Sequence, residues 1–161
     1  MSKPRVYVET TIPNVYYETR TSPEMVERQA WTRAWWADAA EKYELVTSSK
    51  VLAELHRGTG DQVARRKSLL KDLRLLSVAP PVPAIVSFYI RHRLMPANPP
   101  DDAYHLAAAS YHGCDFMVTW DLRHLANPRK ALHIRRINTI LTLHVPELVT
   151  PKHLMLREDD V

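Results

Sequence analysis

Short apolar runs alternate with longer amphipathic stretches along the chain, which predicts strands separated by helices. The run from Arg5 to Val8 is rich in valine and tyrosine and predicts a buried, central first strand. Further strands are predicted over 45–47, 73–78, 116–119 and 146–150, and helices over about 22–42, 49–58, 61–71, 84–94, 101–113 and 131–143. Hairpin signals are few. We therefore predict a three-layer α/β/α fold around a mostly parallel sheet of four to five strands.

The helix that begins near residue 101 carries an aspartate pair at its start. Helical spacing places Asp102 on one face with Leu106 and Ala109, which predicts that Asp102 is buried. Asp101 shares its face with His105, so both are expected to point outward, with Asp101 as the helix cap. A buried carboxylate is costly unless it has a partner such as a metal ion. The alternative is that Asp102 only complements the helix dipole.

The helix over 22–42 begins with a serine cap and a proline. Its apolar residues recur on one face, which is expected to be the buried one: Val26, Ala30, Ala34 and Ala37. Three tryptophans in this helix favour packing or a subunit interface over base stacking: Trp31, Trp35 and Trp36.

Acidic residues stand where strands end or helices begin at four places: Glu9, Glu54, Asp102 and Asp121. The carboxyl ends of parallel strands share one edge of a sheet, so these acids are expected to lie close together. At ~4 Å and an effective dielectric constant near 20, each pair repels by about 4 kcal/mol. Either some carboxyls are protonated at neutral pH, or a divalent cation lies among them. Oxygen ligands alone favour Mg²⁺ or Mn²⁺ over zinc.

Composition adds bounds to this picture. The chain has 161 residues, and its 22 Lys and Arg against 18 Asp and Glu give a net charge of +4, which is compatible with a nucleic-acid partner. The only cysteine, Cys114, rules out an intramolecular disulfide and favours a reducing, cytoplasmic location. No signal peptide or run of ~20 apolar residues is found, so we expect no membrane association. We predict one domain over 1–150 and a short, frayed tail over 151–161.

Four segments, in this order and spacing, resemble the PIN-domain family and, more narrowly, its VapC-type toxin ribonucleases: 6–13, 51–55, 102–107 and 118–121, with His124 and Asn127 beyond. The resemblance implies that the four acids hold one or two Mg²⁺ or Mn²⁺ ions, Glu54 directly or through water. It also implies supporting roles for Thr11, Thr119 and Asn127.

The function that the resemblance implies is that of a metal-dependent endoribonuclease acting on single-stranded or looped RNA, the toxin of a toxin–antitoxin pair. Its partners would be RNA, an antitoxin protein and a second copy of the chain. The substrate backbone would be bound by basic side chains around the acids: Arg57, Arg65, Arg66, Arg91, Arg93 and Arg123. None of His105, His112 and His124 is expected to be needed for metal-assisted hydrolysis.

Glu9 departs from the family, which usually has an aspartate at this position. The extra methylene displaces the carboxylate by roughly 1.5 Å. An alternative function is therefore a PIN-fold RNA- or protein-binding module with weakened or lost catalysis. Because the family prefers aspartate at this position, we expect Glu9→Asp to raise the cleavage activity.

Overall fold

The computed structural model describes residues 2–58 and 60–159. The described residues form five strands: β1 (Arg5–Val8), β2 (Glu44–Ser48), β3 (Arg74–Leu76), β4 (Phe116–Val118) and β5 (Glu147–Val149). All strand pairs are parallel, and the sheet order is β3-β2-β1-β4-β5. The helices are α1 (Thr11–Tyr16), α2 (Pro23–Lys42), α3 (Ser49–His56), α4 (Gln62–Leu69), α5 (Val82–Arg91), α6 (Asp101–Tyr111), α7 (Pro128–Ile140) and α8 (Pro151–Asp159).

The central strand β1 pairs with β2 on one side and with β4 on the other. Val6, Tyr7 and Val8 are fully buried. Consecutive side chains of a strand point to opposite faces, so the sheet must be covered by helices on both sides. The predicted α/β/α fold with a parallel sheet is confirmed.

Helix α2 has the predicted start, because Ser22 accepts a hydrogen bond from the Met25 N–H and Pro23 is the first helical residue. Its predicted buried face is wrong. Val26 is 52% exposed and Ala30, Ala34 and Ala37 are exposed, whereas the buried residues of the helix are Thr32, Trp35 and Ala39. A tryptophan buries ~150–250 Å², far more than any single alanine, and the face that carries Trp35 is the one that packs on the sheet.

Helix α6 packs against α5, α3 and β4 and is buried on several sides. The face assignment from spacing therefore fails for three residues. Asp102 was expected to be the buried member of the aspartate pair, but its side chain is 21% exposed, against 14% for that of Asp101. His105 was expected to point outward but is fully buried. Asp101 was expected to cap the helix, but Pro100 holds the cap position, and Asp101 Oδ2 pairs with Arg57 Nη2 at 2.6 Å.

Two helices were not predicted. No helix was predicted between the first strand and residue 22, where the segment after Glu9 forms α1. The C-terminal segment was expected to be a frayed tail, but it forms α8, whose Leu154 is buried and which packs against α2. Its Glu158 is bonded to Lys42 and Tyr43. The prediction of fraying for the last two residues lies outside the described residues, and the independence of 1–150 as a domain stays a prediction.

Helix α7 begins three residues earlier than predicted, at Pro128, because Asn127 caps it through the Arg129 N–H and proline fits the first turn. Among the described residues, no helix combines the length and the apolar character that crossing a membrane requires.

Candidate active site

The four predicted acids meet at the edge of the sheet where the strands end. Glu9 follows β1, and Asp121 lies in the loop that follows β4. Glu54 is on α3, directly after β2, and Asp102 is in the first turn of α6. The right-handed crossovers of a parallel sheet bring these separate segments to one side.

The acids form two groups, each completed by a histidine. In each group, one ligand atom per residue lies within 4.8 Å of the others: Glu9, Glu54 and His105 in the first, and Asp102, Asp121 and His124 in the second. The sequence predicted an all-oxygen ligand set, and two imidazoles also lie among the carboxylates.

Glu9 is 2% exposed, and its Oε1 accepts three hydrogen bonds. The donors are the Thr11 N–H at 3.1 Å, the Thr11 hydroxyl at 2.6 Å and the Thr119 hydroxyl at 2.6 Å. Burial raises the pKa of Glu9, although the charge of His105 and these hydrogen bonds oppose the rise. Because all three bonds fall on Oε1, Oε2 is the oxygen left for another ligand.

Glu54 is held by two residues on its Oε1. The Thr10 hydroxyl donates to it at 2.7 Å, and His105 Nε2 lies 2.9 Å away. The other ring nitrogen, Nδ1, lies 2.8 Å from the Tyr7 hydroxyl, which is 2.8 Å from Ser48 Oγ. His105 therefore connects Glu54 to the central strand of the sheet.

Burial and neighbouring groups have opposing effects on the pKa values of His105 and Glu54. Burial lowers the pKa of His105, but the hydrogen bond to Glu54 and the charges of Glu9 and Glu54 outweigh it, and the net direction is upward. Burial raises the pKa of Glu54, but the contacts with His105 and Thr10 and the charge of Arg57 outweigh that effect, and the net direction is downward. Both directions favour an imidazolium–carboxylate pair.

In the second group, Asp121 Oδ1 accepts the backbone N–H groups of Arg123 at 3.0 Å and His124 at 2.9 Å. His124 Nδ1 lies 3.4 Å from Asp102 Oδ2 and 3.8 Å from Asp121 Oδ2. Burial, followed by the charges of Asp121 and Glu9, raises the pKa of Asp102 to about 7. A neighbouring cation would therefore stabilise the ionised form of Asp102.

The three predicted supporting residues have distinct positions. Thr11 and Thr119 both bond to Glu9, as described above. Asn127 is not in either group: its Nδ2 donates to the Arg123 carbonyl at 2.9 Å, so it shapes the loop that carries Asp121.

Two residues of the site were missed by sequence reasoning. The contact of the Thr10 hydroxyl with Glu54 was not predicted. His105 was assigned to the surface. The signal that could have found it is the run of alanines around it, because a helix with small side chains on several faces packs closely on several sides.

The predicted RNA-binding arginines differ in solvent exposure and in whether an acid pairs with them. Exposed side chains without a paired acid among the described contacts are those of Arg65, Arg91, Arg93 and Arg123. Arg57 is already paired with Asp101. Arg66 is half-buried, and its Nε has no hydrogen-bond partner in the described part of the chain.

Lys130 and Lys50 are basic residues that sequence reasoning missed. Lys130 Nζ donates to the Leu94 carbonyl at 2.9 Å. Burial lowers the pKa of Lys130, while the charges of Asp102 and Asp121 raise it, which places this ammonium in the field of the acids. Lys50 Nζ lies 4.0 Å from the centre of the Tyr104 ring, two residues after Asp102.

The donors at this edge fit a divalent cation. They are mostly carboxylate oxygens, the ligands that hard cations prefer. The raised pKa values of Glu9 and Asp102 report crowded, partly dehydrated charge that a cation would relieve. The residues present therefore suit a bound metal ion.

Comparison with known proteins gives one match. No curated protein matches the chain. The family model of the PIN domain matches residues 24–131, more than half of the chain, which include Glu54, Asp102 and Asp121. Glu9 lies outside the matched segment. PIN domains are in general metal-dependent nucleases, and the domain implies RNA binding. The fold, the acids and this match lead to one conclusion: the chain belongs to the PIN-domain family.

Proposed function

We propose that this protein is a metal-dependent endoribonuclease that hydrolyses phosphodiester bonds in single-stranded or looped RNA. The observation that supports it most is the convergence of four carboxylates, from segments far apart in sequence, at one edge of the sheet. A purely structural role does not account for Asp102, whose pKa is raised to about 7 by burial and then by the charges of Asp121 and Glu9.

Each acid has a role in this proposal. Asp102, Asp121 and Glu9 would hold the ion. Glu54 contacts the ion through water or accepts the proton of the nucleophilic water. A bound Mg²⁺ or Mn²⁺ supplies Lewis acidity, which activates water at neutral pH and balances the charge that develops on the scissile phosphate.

The exposed cations near the acids bind the RNA backbone. Arg91 ends α5, Arg93 lies in the loop that leads to α6, and Arg123 is next to the second group of acids. An unpaired strand suits this site because its phosphates can be turned towards the acids, which those of a regular duplex cannot do freely.

Incubation of the purified protein with a structured RNA and Mg²⁺ or Mn²⁺ tests the proposal, with Asp102→Asn as the control. We expect the wild-type protein to cut in unpaired regions, EDTA to stop the reaction, and Asp102→Asn to lose at least about 100-fold in rate. Cleavage by both proteins would indicate a contaminating nuclease. Absence of cleavage by the wild type would refute the proposal.

A second candidate function is an RNA- or protein-binding module with weakened catalysis. The observation that favours it is the environment of Glu9. Its side chain is nearly fully buried and accepts hydrogen bonds from three donors, and burial raises its pKa. A protonated Glu9 is a poor metal ligand. RNA binding without cleavage at any concentration of Mn²⁺ would support this function.

Within the nuclease proposal, we further propose that the protein is a VapC-type toxin of a type II toxin–antitoxin pair, acting in the cytoplasm as a homodimer with an antitoxin partner. A neighbouring short gene for a small DNA-binding protein with a disordered tail would support this. Induced expression should stop bacterial growth, expression of Asp102→Asn should not, and light scattering should give twice the chain mass. Unimpaired growth with active wild-type nuclease would count against the toxin role.

A further inference from the structure

The His124 ring faces both carboxylates of the second group without a hydrogen bond to either. Its Nδ1 lies 3.4 Å from Asp102 Oδ2 and 3.8 Å from Asp121 Oδ2. A hydrogen bond from nitrogen to oxygen spans roughly 2.7–3.2 Å, so both separations are too long for one.

The same separations suit three ligands of one ion. Donor atoms that each lie about 2.1 Å from a cation stand roughly 3.0–4.2 Å apart, depending on the angle between them. Both distances from Nδ1 fall within this range. The geometry therefore leaves room for one ion among Asp102, Asp121 and His124.

The loop holds His124 in this position. Asp121 Oδ1 accepts the N–H groups of Arg123 and His124, so the turn is closed by Asp121 itself and its Oδ2 stays on the side of the ring. Asn127 Nδ2 bonds to the Arg123 carbonyl and fixes the turn from its other end. The backbone position of His124 is thus built into the loop.

We infer that His124 Nδ1 is a ligand of the divalent ion at Asp102 and Asp121, and that this nitrogen makes the site select Mn²⁺ over Mg²⁺. The inference deepens the proposed function and shares its metal. Mg²⁺ strongly prefers oxygen ligands, whereas imidazole suits the first-row transition metals, and carboxylates suit Mn²⁺.

Metal binding to the RNA-free protein tests the inference without any measurement of cleavage. Calorimetric titration with Mn²⁺ and with Mg²⁺ would compare the wild type, His124→Ala, and His153→Ala as the matched control, since His153 is exposed on α8. We expect His124→Ala to weaken Mn²⁺ binding about tenfold or more and Mg²⁺ binding far less. His153→Ala should change neither.

A second variant keeps the test valid if His124→Ala folds poorly. His124→Asp replaces the nitrogen with an oxygen, so it should retain binding while its preference shifts towards Mg²⁺. Pulsed electron paramagnetic resonance of the Mn²⁺-loaded wild type should show coupling to a nitrogen nucleus, and this coupling should vanish in His124→Asp.

The inference is overturned if the wild type shows no nitrogen coupling, or if His124→Ala and His124→Asp leave the ratio of Mn²⁺ to Mg²⁺ affinity unchanged. Its failure is separable from failure of the nuclease proposal. If the bound Mn²⁺ couples to nitrogen but the protein cuts no RNA, His124 is a metal ligand and the nuclease proposal is wrong. If the protein cuts RNA but the bound Mn²⁺ shows no coupling to nitrogen, the nuclease proposal stands and His124 is not a ligand.

Discussion

Asp102 is the residue where burial and repulsion act together. The fold raises its pKa from 3.8 to about 7, first through burial and then through the charges of Asp121 and Glu9. A raised carboxyl pKa means that the folded state holds the proton more tightly than the unfolded state. The contribution of Asp102 to stability is therefore full below pH ~4 and is lost as the pH rises through about 7.

Asp102→Asn should accordingly stabilise the metal-free protein at pH 8 but not at pH 4. We expect a gain of about 2 kcal/mol at pH 8, less than the full shift implies because the carboxylate is partly in water. Urea unfolding in EDTA at both pH values would measure it. Asp101→Asn, one residue earlier, is the control and should show no such gain, and equal pH profiles for the wild type and Asp102→Asn would contradict the argument.

Tyr7 acts on the site through His105. Tyr7→Phe removes the hydroxyl that contacts both His105 Nδ1 and Ser48 Oγ, so it should lower the free energy of unfolding by about 1–3 kcal/mol. Because His105 then holds Glu54 less firmly, kcat should fall more than KM changes. Urea unfolding and steady-state cleavage would measure both effects.

Tyr89→Phe is the matched control, since the Tyr89 hydroxyl is also buried but bonds to Asn138 and Ser110, away from the acids. It should lose similar stability and keep its kcat. Equal kcat values for the two variants would show that Tyr7 has only a structural role.

Glu9→Asp was expected from the family pattern to raise activity, and the structure gives a reason for the opposite. Three donors converge on Oε1 of the longer side chain, and an aspartate would withdraw its carboxylate by roughly 1.5 Å. We expect the variant to lose about 1–3 kcal/mol of stability and to cut RNA no faster. Thermal unfolding and the cleavage rate would measure this, and faster cleavage would restore the family-based expectation.

At the scale of elements, strands were easier to predict than helix faces. The run from Arg5 to Val8 was bounded correctly because β-branched and aromatic residues concentrate there. The faces of α2 and α6 were not, because spacing identifies an apolar stripe but not how many sides a helix buries. Helix α8 was missed because its residues pack on α2, a contact that no local pattern records.

Helix α8 should contribute to stability rather than lie passively on the surface. Leu154 is buried against the rest of the protein, so Leu154→Ala should cost about 2–4 kcal/mol of unfolding free energy. Leu156→Ala on the same helix is the control, because Leu156 is 46% exposed and should cost less than about 1 kcal/mol. Urea unfolding of both variants would decide, and equal losses would mean that α8 does not pack as described.

At the scale of the whole molecule, the sequence predicted that the acids meet but not how they pair. Parallel topology places strand ends on one edge, which made Glu9 and Asp121 predictable neighbours of the site. The division into two groups depends on which histidine stands between which carboxylates. That division is a matter of packing among segments more than 100 residues apart, such as Thr11 and Thr119.

The net charge of +4 should make RNA binding moderately sensitive to salt. With the cleavage-deficient Asp102→Asn protein, three or four phosphate contacts give a slope of log affinity against log salt of about −2 to −3, near −0.7 for each contact. Arg123→Ala should reduce this slope by about 0.7. Lys3→Ala should not change the slope, because Lys3 precedes β1 at the opposite edge of the sheet. Binding assays at roughly 50–200 mM KCl would measure the three slopes. Equal slopes for all three proteins would exclude Arg123 from the interface.

Trp120 occupies a position between the two groups of acids. Its neighbours in sequence are Thr119, which bonds to Glu9, and Asp121, and its indole N–H donates to Thr32 Oγ1 at 2.8 Å. The other three tryptophans all lie on α2. The backbone of Trp120 thus lies between two residues of the site, while its indole contacts α2. Light emission from this indole, quenched by a paramagnetic ion and unchanged by a diamagnetic one, could follow occupancy in real time without any attached dye.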